Sequence, residues 1–151
     1  MLKRTLTAPR KPAFLLIAAL VVQVLLAQPA HASGWHPRHN RKDNITACPV
    51  HWGRSLRANR HLVRCEAALF GVDVPTALRV AACESGFRWW ESYAGHDGTW
   101  QQAERYWWER YVSYGARSGG FFRSVMNSRT NTVVSMWMVL NRGWARDWAC
   151  F

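Results

Sequence analysis

Apolar side chains recur at helical spacing in four stretches of the chain, and each stretch is bounded by residues typical of helix ends. The predicted helices are about Ser55–Phe70, Val74–Ser85, Gln102–Tyr114 and Arg129–Leu140. Between the second and third helices, Trp89–Trp100 carries two glycines around a His-Asp pair, which favours turns or a small hairpin. We therefore expect a mainly α domain with a small loop or hairpin between helices two and three.

The first 32 residues have the pattern of a secretory signal peptide. Basic residues precede an uncharged apolar run from Ala13 to Ala27, and Ala30-His31-Ala32 supplies the small residues that a signal peptidase needs for cleavage before Ser33. As a helix this run reaches about 22 Å, short of a ~30 Å hydrocarbon core, so we expect cleavage and no stable membrane insertion. Uncleaved anchoring is the alternative. Residues 33–47 are then predicted to form a basic polar arm, and residues 48–151 one domain that is secreted or associated with the cell wall.

The formal net charge of the 151 residues is +11. Such an excess of positive charge favours anionic surroundings, such as the acidic polymers of a Gram-positive wall, and fits nucleic acid or a membrane surface equally well. Because the N-terminus predicts secretion, we expect anionic wall polymers as a partner and no nucleic acid. What remains after cleavage is long enough for a single core, and we expect a monomer.

Four cysteines follow the signal: Cys48, Cys65, Cys83 and Cys150. An even number of cysteines in a small exported domain predicts two disulfides, and three connectivities are open. A zinc site is the competing interpretation, but no two of the cysteines form a Cys-x-x-Cys pair. We therefore expect no metal and no cofactor.

Glu84 is the strongest candidate for chemistry, in the segment Cys83-Glu84-Ser85-Gly86-Phe87 at the end of the second helix. The apolar stripe Val74, Ala77, Ala81 continues by three residues onto Glu84, which predicts that its carboxyl group faces the core. Burial raises the pKa of a carboxyl group, and one that stays protonated near neutral pH can protonate a glycosidic oxygen. The alternative is a solvated or ion-paired glutamate at a helix end.

Ten tryptophans are an unusual density for a chain of this length, and aromatic rings suit both a protein core and the C–H faces of sugars. Three are assigned to the core: Trp107, Trp137 and Trp148. Three others follow the acid in a loop and are candidates for a sugar platform: Trp89, Trp90 and Trp100. Asn131, at the start of the last helix, either caps that helix or reaches the substrate cleft.

Three segments, taken in order, resemble the lysozyme-like domains of secreted actinobacterial muralytic proteins, the lytic transglycosylase and resuscitation-promoting-factor group. Cys83–Phe87 is similar to the family's catalytic Glu-Ser-Gly helix end. Gly95–Gln101 is similar to a Gly-x-x-Gly-Leu-Phe-Gln segment, although Thr99-Trp100 stands in place of Leu-Phe. Asn127–Met138 and then Gly143–Cys150 resemble the closing helix and a Gly-Trp-x-x-Trp-x-Cys tail.

The resemblance implies a lysozyme-like α+β fold and a peptidoglycan-cleaving glycosidase that acts on the MurNAc-GlcNAc β-1,4 bond. Glu84 would be its general acid and base, and Gln101 would line the sugar cleft. The resemblance also implies a disulfide between Cys83 and Cys150, which leaves Cys48 and Cys65 to pair with each other.

Glycoside cleavage usually needs two carboxylates, and Glu91 and Asp97 are the candidates for the second. If Glu84 acts alone, the substrate's own 6-hydroxyl attacks and leaves a 1,6-anhydro product, as the resemblance to lytic transglycosylases implies. With a second carboxylate, an ordered water attacks, as in a lysozyme. The alternative from a different class is a non-catalytic module that binds cell-wall glycan or anionic polymer.

Overall fold

The computed structural model describes residues 45–115 and 122–151, which belong to one compact unit. The helices are α1 (Leu56–Leu69), α2 (Val74–Ser85), α3 (Glu104–Arg110) and α4 (Ser128–Arg142). A 3₁₀ turn, Trp52–Arg54, precedes α1, and a π-helical turn, Tyr111–Gly115, continues α3. All four predicted helices are present. The predicted signal peptide and the first twelve residues of the arm lie outside the described residues.

Polar side chains cap the N-termini of three of the helices. The Ser55 hydroxyl accepts a hydrogen bond from the backbone N–H of Ala58 at 3.1 Å, and the Asp73 carboxylate accepts one from Thr76 at 2.8 Å. Asn127 caps α4 by accepting from Thr130 N–H at 3.1 Å. Each bond satisfies a backbone donor that the first turn of a helix leaves unpaired, which fixes where the helix starts.

A three-stranded antiparallel sheet lies between α2 and α3, with strands β1 (Ser92–Tyr93), β2 (His96–Asp97) and β3 (Gln102–Ala103). In β1 and β2, Ser92 pairs with Asp97 and Tyr93 with His96. The two residues of the connecting turn, Ala94 and Gly95, both have positive φ, as a type I′ hairpin turn requires. The predicted hairpin is thus confirmed. The third strand takes the two residues that were predicted to begin the third helix.

The core forms around α4, whose residues 128–136 are all buried. The central ring is Trp100, which stacks on Trp144 at 5.8 Å and meets Trp148 edge-on at 5.8 Å. Trp107 and Trp148 are buried, and Trp137 is partly buried against Tyr114, so the core assignment of these three tryptophans is confirmed.

Two disulfides join the described residues, Cys48–Cys65 and Cys83–Cys150, and this connectivity is the predicted one. The first ties the segment before α1 to α1 itself. The second ties the end of α2 to the C-terminal tail. Within ranges 45–115 and 122–151, no helix combines the length and the apolar character needed to cross a membrane.

Candidate functional site

Glu84 lies in the last turn of α2, one residue before the helix ends. Ala77, Val80, Ala81 and Ser85 form the buried face of α2, and Glu84 flanks that face and is half-buried. One of its carboxylate oxygens, Oε1, is buried and has no hydrogen-bond partner among the described residues. The prediction that this carboxyl group turns toward the core is therefore met in part. A buried oxygen without a partner is costly to ionise, because nothing replaces the water that would solvate its charge.

Burial raises the pKa of Glu84 above its ordinary value, because removing a carboxylate from water disfavours the charged form. The backbone N–H of Cys150 and the charge of His96 act in the opposite direction, and burial outweighs them. A glutamate in this setting holds its proton to higher pH than an exposed one. The same two groups can stabilise the carboxylate once the proton has left.

Two anchors hold the backbone on either side of Glu84. Cys83 is bonded to Cys150, and the Ser85 hydroxyl donates a 2.8 Å hydrogen bond to the carbonyl oxygen of Thr99. Gly86 then ends α2 in the left-handed conformation, with φ of 60°. The backbone at Glu84 is thus held against both the C-terminal tail and the loop after β2.

A buried polar network connects α1 to the loop that follows Glu84. The Asn59 amide donates to the carbonyl oxygen of Phe87 at 2.6 Å and to the Thr99 hydroxyl at 2.9 Å. Its carbonyl oxygen accepts a hydrogen bond from Ser128 at the start of α4. Phe87 has φ of 65°, a strained value for a residue with a side chain, and the bond to its carbonyl oxygen helps to hold it there.

His96 is the residue beside Glu84 that sequence reasoning missed. Its Nδ1 lies 3.0 Å from the carbonyl oxygen of Gln101. Since a carbonyl only accepts, Nδ1 carries the hydrogen and donates it, which leaves Nε2 for another contact. The sequence treated His96 only as part of a Gly-rich turn, and its approach to Glu84 depends on how the sheet packs.

Gln101 follows this hairpin in a left-handed conformation, with φ of 45°. Its amide nitrogen donates to the carbonyl oxygen of Gly98 at 3.0 Å and makes a longer contact with that of Glu91 at 3.4 Å. The side chain is half-buried. Gln101 therefore braces the loop through its amide nitrogen.

Three tryptophans form a cluster on the surface, which we call the Trp cluster: Trp52, Trp89 and Trp90. Trp89 and Trp90 meet edge-on with centroids 4.4 Å apart, and Trp52 contacts Trp89 at 5.6 Å. Trp90 is 51% exposed. Two of the three predicted platform residues, Trp89 and Trp90, thus lie together at the surface. Trp52 was missed because the 3₁₀ turn that carries it has no periodic signal.

The expectation that Trp100 forms part of a sugar platform is wrong. Its side chain has no exposed surface, and the indole N–H donates to the Thr132 hydroxyl at 3.0 Å inside the core. The ring is packed between α4 and the C-terminal tail. The indole N–H of Trp100 therefore already has its hydrogen-bond partner within the protein.

Asn131 neither caps α4 nor reaches a cleft, so both predicted roles are wrong. It is fully buried one turn into the helix, and its carbonyl oxygen accepts from the backbone N–H of Trp100 at 2.9 Å. Its amide donates to the carbonyl oxygen of Val125 at 3.0 Å. A Cβ at Gly98 would lie 2.7 Å from the same amide nitrogen, so this close contact requires glycine. Asn131 holds the sheet against α4, while Asn127 is the cap.

Each candidate for a second carboxylate has surroundings of its own, and neither acts on Glu84. The Glu91 carboxylate pairs with Arg88 at 2.6 Å on the surface. Asp97 is 7% exposed and follows His96 on β2, and successive residues of a strand point to opposite faces. His96 and Asp97 therefore lie on opposite faces of β2. Among the described residues, no carboxylate is one of the groups that shift the Glu84 pKa.

Two cavities lie along the segment that precedes α1. One, of about 580 Å³, is bounded by this segment and α1, and the other, of about 430 Å³, by this segment, Phe122 and the start of α4. Glu84 lines neither cavity. In the described part of the chain, no three His, Cys, Asp or Glu side chains are grouped closely enough to bind a metal ion.

No family model, curated protein or solved structure matches the chain. The candidate functional residues are the half-buried Glu84, His96, whose charge acts on it, Gln101 and the Trp cluster.

Proposed function

We propose that this chain is a secreted, peptidoglycan-cleaving glycosidase of the lysozyme-like type. The observation that carries the proposal is Glu84, whose carboxyl group is half-buried, has a raised pKa and keeps one oxygen free of protein partners. A fixed carboxyl group that retains its proton is what the protonation of a glycosidic oxygen requires. The motif order around Glu84, similar to muralytic domains, supports peptidoglycan as the substrate.

In the first step, the Glu84 proton passes to the oxygen of the β-1,4 bond between MurNAc and GlcNAc. The C1–O bond of MurNAc breaks, and the bonding electrons stay with the departing GlcNAc hydroxyl. Positive charge then develops on the MurNAc ring, while Glu84 becomes a carboxylate. The backbone N–H of Cys150 and His96 favour this charged form.

In the second step, Glu84 acts as the base. It removes the proton from the 6-hydroxyl of the same MurNAc, whose oxygen bonds to C1 and closes a 1,6-anhydro ring. We favour this route over hydrolysis because Glu91 is held in an ion pair, Asp97 is buried, and neither is among the groups that shift the pKa of Glu84. Hydrolysis would need one of them to activate a water.

The Trp cluster and Gln101 are proposed to bind the sugar chain. Trp90 presents an exposed indole, and aromatic faces stack on the C–H surfaces of pyranose rings. Gln101 keeps its amide oxygen for a sugar hydroxyl because its nitrogen is bonded to the loop. The two disulfides are typical of an oxidising compartment and support the proposed export.

Digestion of purified peptidoglycan should release muropeptides that are one water lighter than hydrolysis products. The reason is that an internal hydroxyl, and not water, attacks C1. Mass spectrometry of the released fragments, before and after borohydride reduction, makes the measurement, because anhydro ends have no aldehyde to reduce. A commercial lysozyme run in parallel provides the reducing-end standard.

Reducing ends only would mean that the protein is a hydrolase, and would direct attention to Glu91 and Asp97. Retention of the protein on peptidoglycan without any release of fragments would favour the non-catalytic glycan-binding module. In that case the Trp cluster would still account for binding, whereas Glu84 would have no chemical role.

A further inference from the structure

A strongly basic face lies on α1, apart from the site around Glu84. The exposed side of the helix presents Arg57, His61 and Arg64, and the turn before it adds Arg54 and His51. We call these five residues the basic face. Residues 57, 61 and 64 fall at i, i+4 and i+7, so they align along two turns of the helix, about 10 Å in length.

No carboxylate neutralises this face within the described ranges. The acidic residue of α1 is Glu66, which is fully buried on the opposite side and pairs with Arg129 at 2.7 Å. The ion pairs found among residues 45–115 and 122–151 involve neither Arg54, Arg57 nor Arg64. Positive charges this close together repel one another, and a bound polyanion would relieve that repulsion.

The basic face borders a groove, which is the cavity of about 580 Å³ described above. One wall is α1 and the other is residues 49–51, and Arg54, His61 and Arg64 all line the space between them. The second wall is fixed at several points. Cys48 is bonded to Cys65, and Arg129 donates to the carbonyl oxygens of Cys48 at 2.6 Å and Val50 at 3.2 Å.

We propose that this groove binds a flexible polyol-phosphate polymer, the anionic chain type of Gram-positive cell walls. Guanidinium groups match phosphate oxygens in charge and in hydrogen-bond geometry, and a row of them suits a chain with an anion at each repeat. The two disulfides favour an exported protein, which would meet such a polymer sooner than nucleic acid. The site is separate from Glu84 and does not depend on the proposed reaction.

The test measures binding of purified poly(glycerol phosphate) to the full protein by calorimetry or fluorescence anisotropy, at several salt concentrations. The variant is Arg54→Gln/Arg57→Gln/Arg64→Gln. Its matched control is Arg105→Gln/Arg123→Gln/Arg146→Gln, which removes three charges from other exposed positions. All six side chains are exposed, so both variants should fold, and equal melting temperatures would confirm this.

We expect the basic-face variant to raise Kd by about tenfold more than the control does, and to reduce the slope of log Kd against log salt. A smaller difference between the two variants would overturn the proposal, because net charge alone would then account for binding. The proposal would also be overturned if the basic-face variant lost binding to double-stranded DNA but kept its binding to poly(glycerol phosphate). That result would favour nucleic acid as the ligand.

The proposed cleavage reaction and the proposed polymer-binding groove can be tested independently of each other. The basic-face variant should cleave polymer-free glycan strands at the wild-type rate, while Glu84→Gln should bind poly(glycerol phosphate) with unchanged Kd. Loss of polymer binding in Glu84→Gln would contradict a separate groove.

Discussion

Replacing Glu84 with Gln should lower the rate of peptidoglycan cleavage by about 10²–10⁴-fold, the usual contribution of a general acid. Glutamine keeps the size and most of the shape of the side chain, but it cannot give a proton to the glycosidic oxygen or take one from the 6-hydroxyl. Binding of glycan strands should change little, because the Trp cluster is untouched. Release of soluble muropeptides under single-turnover conditions measures the chemical step directly.

Glu109→Gln is the matched control, since Glu109 is an exposed glutamate on α3. It should leave cleavage unchanged. Glu84→Gln that cleaves at the wild-type rate would contradict the assignment of the acid.

The Glu84→Gln variant should be no less stable than the wild type at neutral pH. Burial raises the pKa of Glu84 in the folded protein, so folding favours its protonated form. The corresponding stability is fully present below the unfolded-state pKa and is lost as pH rises through the folded-state pKa. A neutral glutamine avoids that loss. A melting temperature well below that of the wild type would show that Glu84 has a structural role instead.

Removing the Cys83–Cys150 disulfide by double substitution with Ala should have the second largest effect. The bond closes a loop with a sequence separation of 67 residues. In the chain-entropy account, a loop of this length contributes about 4 kcal/mol to the free energy of unfolding. The loss of activity should exceed the loss of folded protein, because the tail that carries the Cys150 N–H would no longer be held beside Glu84.

The Cys48–Cys65 double substitution with Ala is the control for this experiment. Its loop has a separation of only 17 residues, so the expected loss is about 3 kcal/mol. The activity per folded molecule should stay near the wild-type value, because this disulfide does not contact the Glu84 site. Denaturant unfolding and activity assays, corrected for the folded fraction, measure both effects. Equal activity losses in the two variants would contradict a specific role for Cys83–Cys150.

Local signals predicted most of the helical framework. Ser55, the predicted start of the first helix, caps α1, and Gly86 ends α2 where the apolar period stops. These features act within a few residues of sequence, so they can be recognised without knowledge of the fold. The disulfide pairing is different, because it came from a resemblance and not from local sequence.

The errors occurred where tertiary packing decides the environment. Trp100 follows the acid in a loop, which suggested exposure, yet α4 and the tail enclose it completely. Asn131 lies near a helix start, but the capping residue is Asn127, one turn earlier, and the buried Asn131 amide instead holds the sheet. Burial of this kind depends on contacts more than 30 residues apart, which a single sequence does not display.

The site was predicted in part for the same reason. Glu84 was found because its helix position and neighbours are local features. His96 and Trp52 were missed because they approach Glu84 and Trp89 only in the folded chain. The second carboxylate was left open by the sequence, and the ion pair of Glu91 and the burial of Asp97 now disfavour both candidates.

The most direct test of the central claim is to titrate Glu84 itself and compare its pKa with the pH dependence of cleavage. The carboxyl carbon of Glu84 can be followed by ¹³C NMR and assigned by its absence in Glu84→Gln. We predict that it titrates above the ordinary range of glutamates, about 4.3, and that kcat/KM falls with the same midpoint as pH rises. An ordinary pKa for Glu84, or a fall in kcat/KM with a different midpoint, would contradict the account.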